Sequence, residues 1–213
     1  MEGELRAPRP TVPRPVLDVL TRAEVQRLED AATTKRDKLI VRVLADAGLR
    51  LGELRRLRLD DLIAQGRDRY LRVTDTKGHR DRLVPLDPEL YTWLDRFARR
   101  GRPECGTDRL FVTSTRHAGD YGELADRTVE GLITYLGEKA RLDKHVHPHL
   151  LRHSLATELL RRGVNPIQVR DILGHTSLAM IDRVYSHLSP ADASRALVRA
   201  LRARDDQQLR PGG

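Results

Sequence analysis

Arg50, Lys77, His149, Arg152, His175 and Tyr185 are the residues of this chain whose types and order suggest chemistry. A guanidinium fork matches two phosphate oxygens and stays charged at any working pH. Histidine and a field-perturbed lysine can each move a proton at the reacting centre. A tyrosine hydroxyl is a competent covalent nucleophile once ionised. Its unperturbed pKa is about 10, so nearby cations and a base must help ionise it. Gathered around one phosphate-sized charge, this set can attack a phosphodiester without a metal. Each residue also has a plainer reading: surface arginine, solvated turn lysine, helix-capping histidine, half-buried tyrosine.

The local strings make the set specific. Arg50 lies in Ala47-Gly48-Leu49-Arg50-Leu51-Gly52-Glu53-Leu54, just past a glycine that should stop a helix. Glu53, three residues on, is suited to orient Arg50 or a histidine. Lys77 sits in Thr76-Lys77-Gly78, a turn between two strand-like runs. His149, Arg152 and His153 fall in His149-Leu150-Leu151-Arg152-His153. The spacing of three puts His149 and Arg152 on one side of a helix, with His153 on the same arc. Leu151, Leu155 and Leu159 form the apolar stripe beside them. His175 follows Leu173-Gly174, and Tyr185 opens Tyr185-Ser186-His187 ten residues later.

In this order the strings resemble the catalytic domain of tyrosine recombinases, the family of phage integrases and Xer-type recombinases. The resemblance runs from about Leu20 to Leu188. It implies site-specific cleavage and rejoining of double-stranded DNA through a 3′-phosphotyrosine at Tyr185, with neither metal nor ATP nor another cofactor. It implies that Arg50 and Arg152 hold the nonbridging oxygens, that His149 or His175 serves the tyrosine proton or the phosphate, and that Lys77 protonates the leaving 5′ oxygen. Glu53 and His153 are supporting residues. The implied assembly is a tetramer on DNA, with room for accessory proteins. Leu150 stands where an acidic or polar residue is frequent in the family, and Gly52 where serine is frequent.

The same residues admit other chemistries. His145, His147, His149 and His153 are dense enough to suggest zinc. Two of them precede the helix, no cysteine is near and no HExxH string exists, so a metal is not expected. A type IB topoisomerase would use the same chemistry to relax DNA. Asn165–Tyr185 also resembles a helix-turn-helix, as in a non-enzymatic DNA-binding regulator. That reading leaves Arg50, Lys77 and the His149/Arg152 pair unexplained.

The elements expected to position the set are mostly helical. Thr21-Arg22-Ala23-Glu24 is a capping-box signal for a first helix. Apolar spacing predicts helices at about 35–47 and 51–57, then at 88–99, 125–141, 148–162, 166–173 and 177–184. Residues 70–86 alternate with period two and predict a β-hairpin with a glycine-containing turn at Lys77. Leu110–Thr113 reads as a short strand. The expected class is mainly α with one small antiparallel β-sheet (α+β).

Residues 1–20 hold four prolines among the first sixteen and read as an arm or interdomain linker. Residues 21–188 read as the catalytic domain. Residues 189–213 read as a helical tail, with Leu197, Val198 and Leu201 as a stripe suited to exchange between protomers. The family resemblance implies a helical DNA-binding domain ahead of the catalytic one, so the chain reads either as a piece cut at the linker, which the proline-rich arm fits, or as a naturally minimal recombinase. The formal net charge is +8, which favours a polyanionic partner. One cysteine, Cys105, excludes an intrachain disulfide and suits the cytoplasm. No apolar run is long enough to cross a bilayer, so no membrane role is expected.

Overall fold

The structure, a computed structural model, describes residues 18–74, 81–117 and 119–174. The expected turn at Lys77, the helix at 177–184, the residues His175 and Tyr185, residues 1–17 of the arm, and the tail all lie outside the described residues.

Helix α1 (Arg22–Ala31) starts on the capping box. The Thr21 hydroxyl accepts from the Glu24 amide at 3.2 Å, and the Thr21 amide donates to Glu24 Oε2 at 2.7 Å. Lys144 also donates to both Glu24 oxygens, at 2.7 and 2.9 Å, and so ties this end of α1 to a stretch 120 residues further on. The entering chain is fixed a second time, by the Leu20 amide donating to Ser154 Oγ at 2.7 Å.

Helix α2 (Lys35–Arg42) widens into a π-helical turn over Val43–Ala47 and stops at Gly48, whose φ is +61°. Its inward face carries Leu39, Ile40, Val43 and Leu44, which are almost wholly buried. Each such side chain contributes about 1.5–3 kcal/mol by leaving water. After the turn, α3 (Leu51–Arg56) starts with Arg50 at its N-cap.

Three strands follow: β1 (Leu62–Gln65), β2 (Asp68–Val73) and β3 (Arg82–Pro85). They form an antiparallel sheet in the order β1-β2-β3, with Tyr70 opposite Pro85 and Val73 opposite Arg82. Leu71, Val73 and Val84 face the core, as the period-two alternation requires. A second sheet pairs β4 (Val112–His117) with β5 (Asp120–Glu123). The fold class is thus the expected one, with two small sheets where one was expected. β1 carries little apolar alternation of its own: it is a strand because β2 offers it an edge.

The other helices are α4 (Pro88–Arg96, extended by a π-helical turn to Gly101), α5 (Asp126–Lys139), α6 (Pro148–Arg161) and α7 (Pro166–Leu173). One large apolar cluster joins α1 to α5 and the first sheet. A smaller one, made of Ala156, Leu160, Val169 and Leu173, lies between α6 and α7, with Leu155 and Leu159 packed against it. No helix among the described residues is long and apolar enough to cross a membrane.

Gly48 is where these parts meet. A Cβ there would lie 2.5 Å from Leu173 Cδ2 and 2.8 Å from Leu155 Cδ2, on a backbone that already favours glycine. Gly48→Ala should therefore combine left-handed strain with overpacking and destabilise the fold by about 2–4 kcal/mol. A urea unfolding midpoint measured beside the parent chain tests this, and an unchanged midpoint would show that the Gly48 turn can relax.

Candidate functional site

The sharp turn after α2 leaves carbonyl oxygens without helical partners, as does the C-terminus of α7. Side chains from elsewhere in the chain take them up. Arg152, on the second turn of α6, donates from Nη1 to the Gly48 carbonyl and from Nη2 to the Leu173 carbonyl, both at 2.5 Å. Arg50 Nη2 donates to the Gly174 carbonyl. Two arginines 102 positions apart in sequence thus converge on the turn that ends α7, the turn that His175 follows.

Glu53 organises the cluster from below. Its residue is only 4% exposed. Oε1 accepts from Arg50 Nη1 at 3.0 Å and from Arg82 Nη1 at 2.9 Å. Oε2 accepts from the Arg50 amide at 2.7 Å and from Arg82 Nη2 at 2.9 Å. Arg82 also donates from Nε to the Ile172 carbonyl at 2.9 Å. The three guanidinium groups outnumber the one carboxylate, so the cluster holds two positive charges in excess. Such a surplus beside a partly open side chain favours an anion: the Arg50 side chain is 36% exposed.

The electrostatics follow from burial and neighbours. Burial alone would raise the Glu53 pKa. The hydrogen bonds from Arg82 and the Arg50 amide, with both guanidinium charges, outweigh it and hold the carboxyl below its ordinary range. Arg152 is 4% exposed, and desolvation followed by the Arg50 charge pushes its guanidinium down to about 9, against an opposing pull from Glu53. It is still a cation at neutral pH. Each of Arg50 and Arg152 uses two of its five N–H groups on the contacts above. The forks are therefore oriented in advance rather than free to rotate.

The spacing puts Arg152 on the same side of α6 as His149, beside the leucine stripe, and the fold carries it deeper than His149. Arg152 points inward, because the Gly48 and Leu173 carbonyls offer acceptors that water cannot reach. His149, in the first turn of α6, is exposed, so the two residues differ in depth although three apart. His153 is half-buried. Leu151 is fully buried, whereas Leu155 and Leu159 are partly buried and belong to the smaller cluster.

His147 caps α6: its Nδ1 accepts from the Leu150 amide at 3.3 Å. Burial and the neighbouring His145 and His149 lower its pKa, which suits the neutral, accepting form. His145, His147 and His149 lie in a row with ring centroids 5.7 and 6.4 Å apart. No group of three or more His, Cys, Asp and Glu among the described residues is arranged to hold a metal ion.

Arg82 is the member that sequence reasoning missed. Its only signal is position, as the first residue of β3 and five residues after Lys77 in sequence. Two concavities of about 410 and 450 Å³ lie elsewhere, on either side of Phe97 near the start of α2, and include none of these residues.

Comparisons with known proteins bear on the family and the fold. The model of the phage integrase family matches residues 18–192. The tyrosine recombinase XerA of Pyrococcus horikoshii is 32% identical over 191 residues, covering 90% of this chain and 64% of that protein. XerA of Thermococcus kodakarensis is 37% identical over 200 residues, covering 90% and 67%. The tyrosine recombinase XerD of Pseudomonas putida is 34% identical over 201 residues, covering 90% and 64%. This chain therefore spans about two thirds of the length of these relatives. Among solved structures, a XerA recombinase superimposes with a TM-score of 0.71 at 32% identity, covering 96% of this chain and 68% of the other.

The Glu53 contacts carry a pH dependence. A carboxyl whose folded pKa is lowered contributes stability that is fully present above its ordinary value of 4.5 and lost as pH falls through the lowered one. The acid limb of a stability–pH curve should therefore be shallower in Glu53→Gln than in the parent, and stability at pH 7 should be lower in the variant. Parallel acid limbs from chemical denaturation at pH 2.5–7 would show that Glu53 does not titrate in this range.

Proposed function

This chain belongs to the phage integrase family, and on that premise we propose that it cleaves and rejoins double-stranded DNA at specific sites. Tyr185 attacks the scissile phosphate and forms a 3′-phosphotyrosine, releasing a 5′ hydroxyl. The phosphodiester bond energy is kept in the protein–DNA link, so no ATP is required, and the cationic side chains supply the charge stabilisation that a metal would otherwise give. Arg50 and Arg152 stabilise the charge that develops on the nonbridging oxygens. His149 or His175 serves the tyrosine proton or hydrogen-bonds the phosphate. Lys77 acts as acid towards the leaving oxygen, and Glu53 and His153 support the arrangement. The single observation that carries the reading is the convergence of Arg50 and Arg152 on the carbonyls of residues 173 and 174. That turn leads directly to His175 and, ten residues on, to Tyr185.

The catalytic unit in this reading is residues 21–188, with residues 1–20 as a proline-rich arm or interdomain linker and 189–213 as a helical tail suited to exchange between protomers. Strand exchange needs two duplexes and four centres, so the working assembly is a tetramer on DNA. Accessory proteins are possible further partners, and a single cysteine suits the cytoplasm as the place of action.

A nicked suicide duplex that traps the covalent complex is the direct test. Tyr185→Phe should abolish the adduct while leaving fold and DNA binding nearly intact, since one hydroxyl is lost. An adduct that persists in this variant rejects the nucleophile.

Arg152→Ala should slow adduct formation by an amount comparable to losing one oxyanion-hole donor, about 2.7–4 kcal/mol. Arg152→Lys should also be poorly tolerated, because a point charge cannot bridge the Gly48 and Leu173 carbonyls as the fork does. Parent-like rates in the lysine variant would remove the fork from the mechanism. Chelators should leave cleavage unchanged, and loss of the adduct in EDTA would bring a metal back into consideration.

A further inference from the structure

We infer that Arg82 is a positioning residue for the phosphate-binding arginines, holding Arg50 and the turn after α7 in register with the β2–β3 hairpin. The inference deepens the strand-transfer reading and rests on it.

Arg82 begins β3 and its side chain is only 13% exposed. One face of its guanidinium grips both oxygens of Glu53 at 2.9 Å, and its Nε holds the Ile172 carbonyl at 2.9 Å. Gly174 passes directly over it. A Cβ at that residue would lie 2.7 Å from Arg82 Nη1 and 2.8 Å from Cζ, on a backbone with φ of +65°. One side chain thus connects β3, α3 and α7.

The contacts give Arg82 two effects on Arg50. First, it fixes the rotation of the Glu53 carboxylate, so that Oε1 is presented to Arg50 Nη1 in one orientation. Second, it holds the last carbonyls of α7 in place. The Gly174 carbonyl taken by Arg50 and the Leu173 carbonyl taken by Arg152 therefore keep their positions. Its charge also shares Glu53 with Arg50, so Arg50 is not fully neutralised by the carboxylate and keeps its attraction for a phosphate. Arg82 lies under the turn and has spent three of its five N–H groups on protein acceptors, so it acts through Arg50 rather than on the substrate. Lys77 lies five residues before Arg82 in sequence, between the paired strands β2 and β3. Arg82 accordingly ties the position of that hairpin to the arginine pair.

The test is a double-mutant cycle on the full chain with the nicked suicide duplex, using Arg82→Gln, Glu53→Gln and the pair. At saturating DNA, Arg82→Gln should slow adduct formation by between about tenfold and a hundredfold. The DNA concentration for half-saturation should move by less than about threefold. The double variant should be no slower than the slower single one, because both changes break the same link. Arg82→Lys should recover only part of the rate, since it restores charge without the bidentate grip.

Multiplying effects in the double variant, or full recovery by lysine, would overturn the inference. A second readout does not depend on cleavage. The Arg50 guanidinium signals in a ¹H–¹⁵N spectrum, assigned by Arg50→Lys, should show restricted rotation in the parent and averaging in Arg82→Gln. Unchanged signals overturn the positioning role even if the rate falls. Absence of any adduct from the parent chain rejects strand transfer instead, and the spectrum then still decides whether Arg82 orients Arg50.

Discussion

A buried carboxylate with four hydrogen bonds is the interaction on which the rest of this molecule depends. Glu53 is nearly inaccessible, and an unpaired charge in that position would be costly. It is tolerated because Arg50 and Arg82 approach it from opposite sides, with the Arg50 amide closing the ring. Those partners come from the start of α3 and the start of β3. The requirement to satisfy one acid therefore fixes β3 against α3 and leaves Arg50 as the partly open cation of a cluster with positive charge in excess.

Arg152 makes the complementary closure. Its guanidinium joins the end of α2 to the end of α7 by accepting a place among backbone carbonyls. The desolvation that lowers its pKa to about 9 leaves it charged at neutral pH. A cation held in this way needs little reorganisation when an anion arrives, and preorganisation of that kind is the larger part of electrostatic catalysis. The smaller apolar cluster under α6 and α7 supplies the rigidity: Leu173 is wholly buried there, and its carbonyl is one of the two that Arg152 holds.

Much of this was legible in the sequence, for identifiable reasons. The capping box at Thr21, the stop at Gly48 and the alternation over Leu71 and Val73 are local signals, and local signals survive without tertiary information. The spacing of Arg50, Glu53, His149 and Arg152 was legible as a motif. Three things were not. β1 and the second sheet pair with strands only a few residues away, but neither carries the period-two apolar alternation by which a strand is recognised. The inward turn of Arg152 depends on carbonyls at 48 and 173 that only the folded chain brings near. Arg82 looks like any strand-flanking arginine of a basic protein, and its role is visible only once Glu53 and the Ile172 carbonyl stand beside it.

The Gly48, Ile172, Leu173 and Gly174 contacts share a property with a consequence for how this chain tolerates change. The arginines read oxygens of the main chain there, not side chains. The identity of a residue such as Ile172 can drift without altering what Arg82 grips, provided its packing is met. Length cannot drift in the same way. Successive carbonyls on a helix are about 100° apart, so adding or removing a single residue in α7 would swing the three oxygens away from the forks that hold them. The two-turn helix from Pro166 to Leu173 thus behaves as a ruler, in which spacing is fixed while much of the lettering is free.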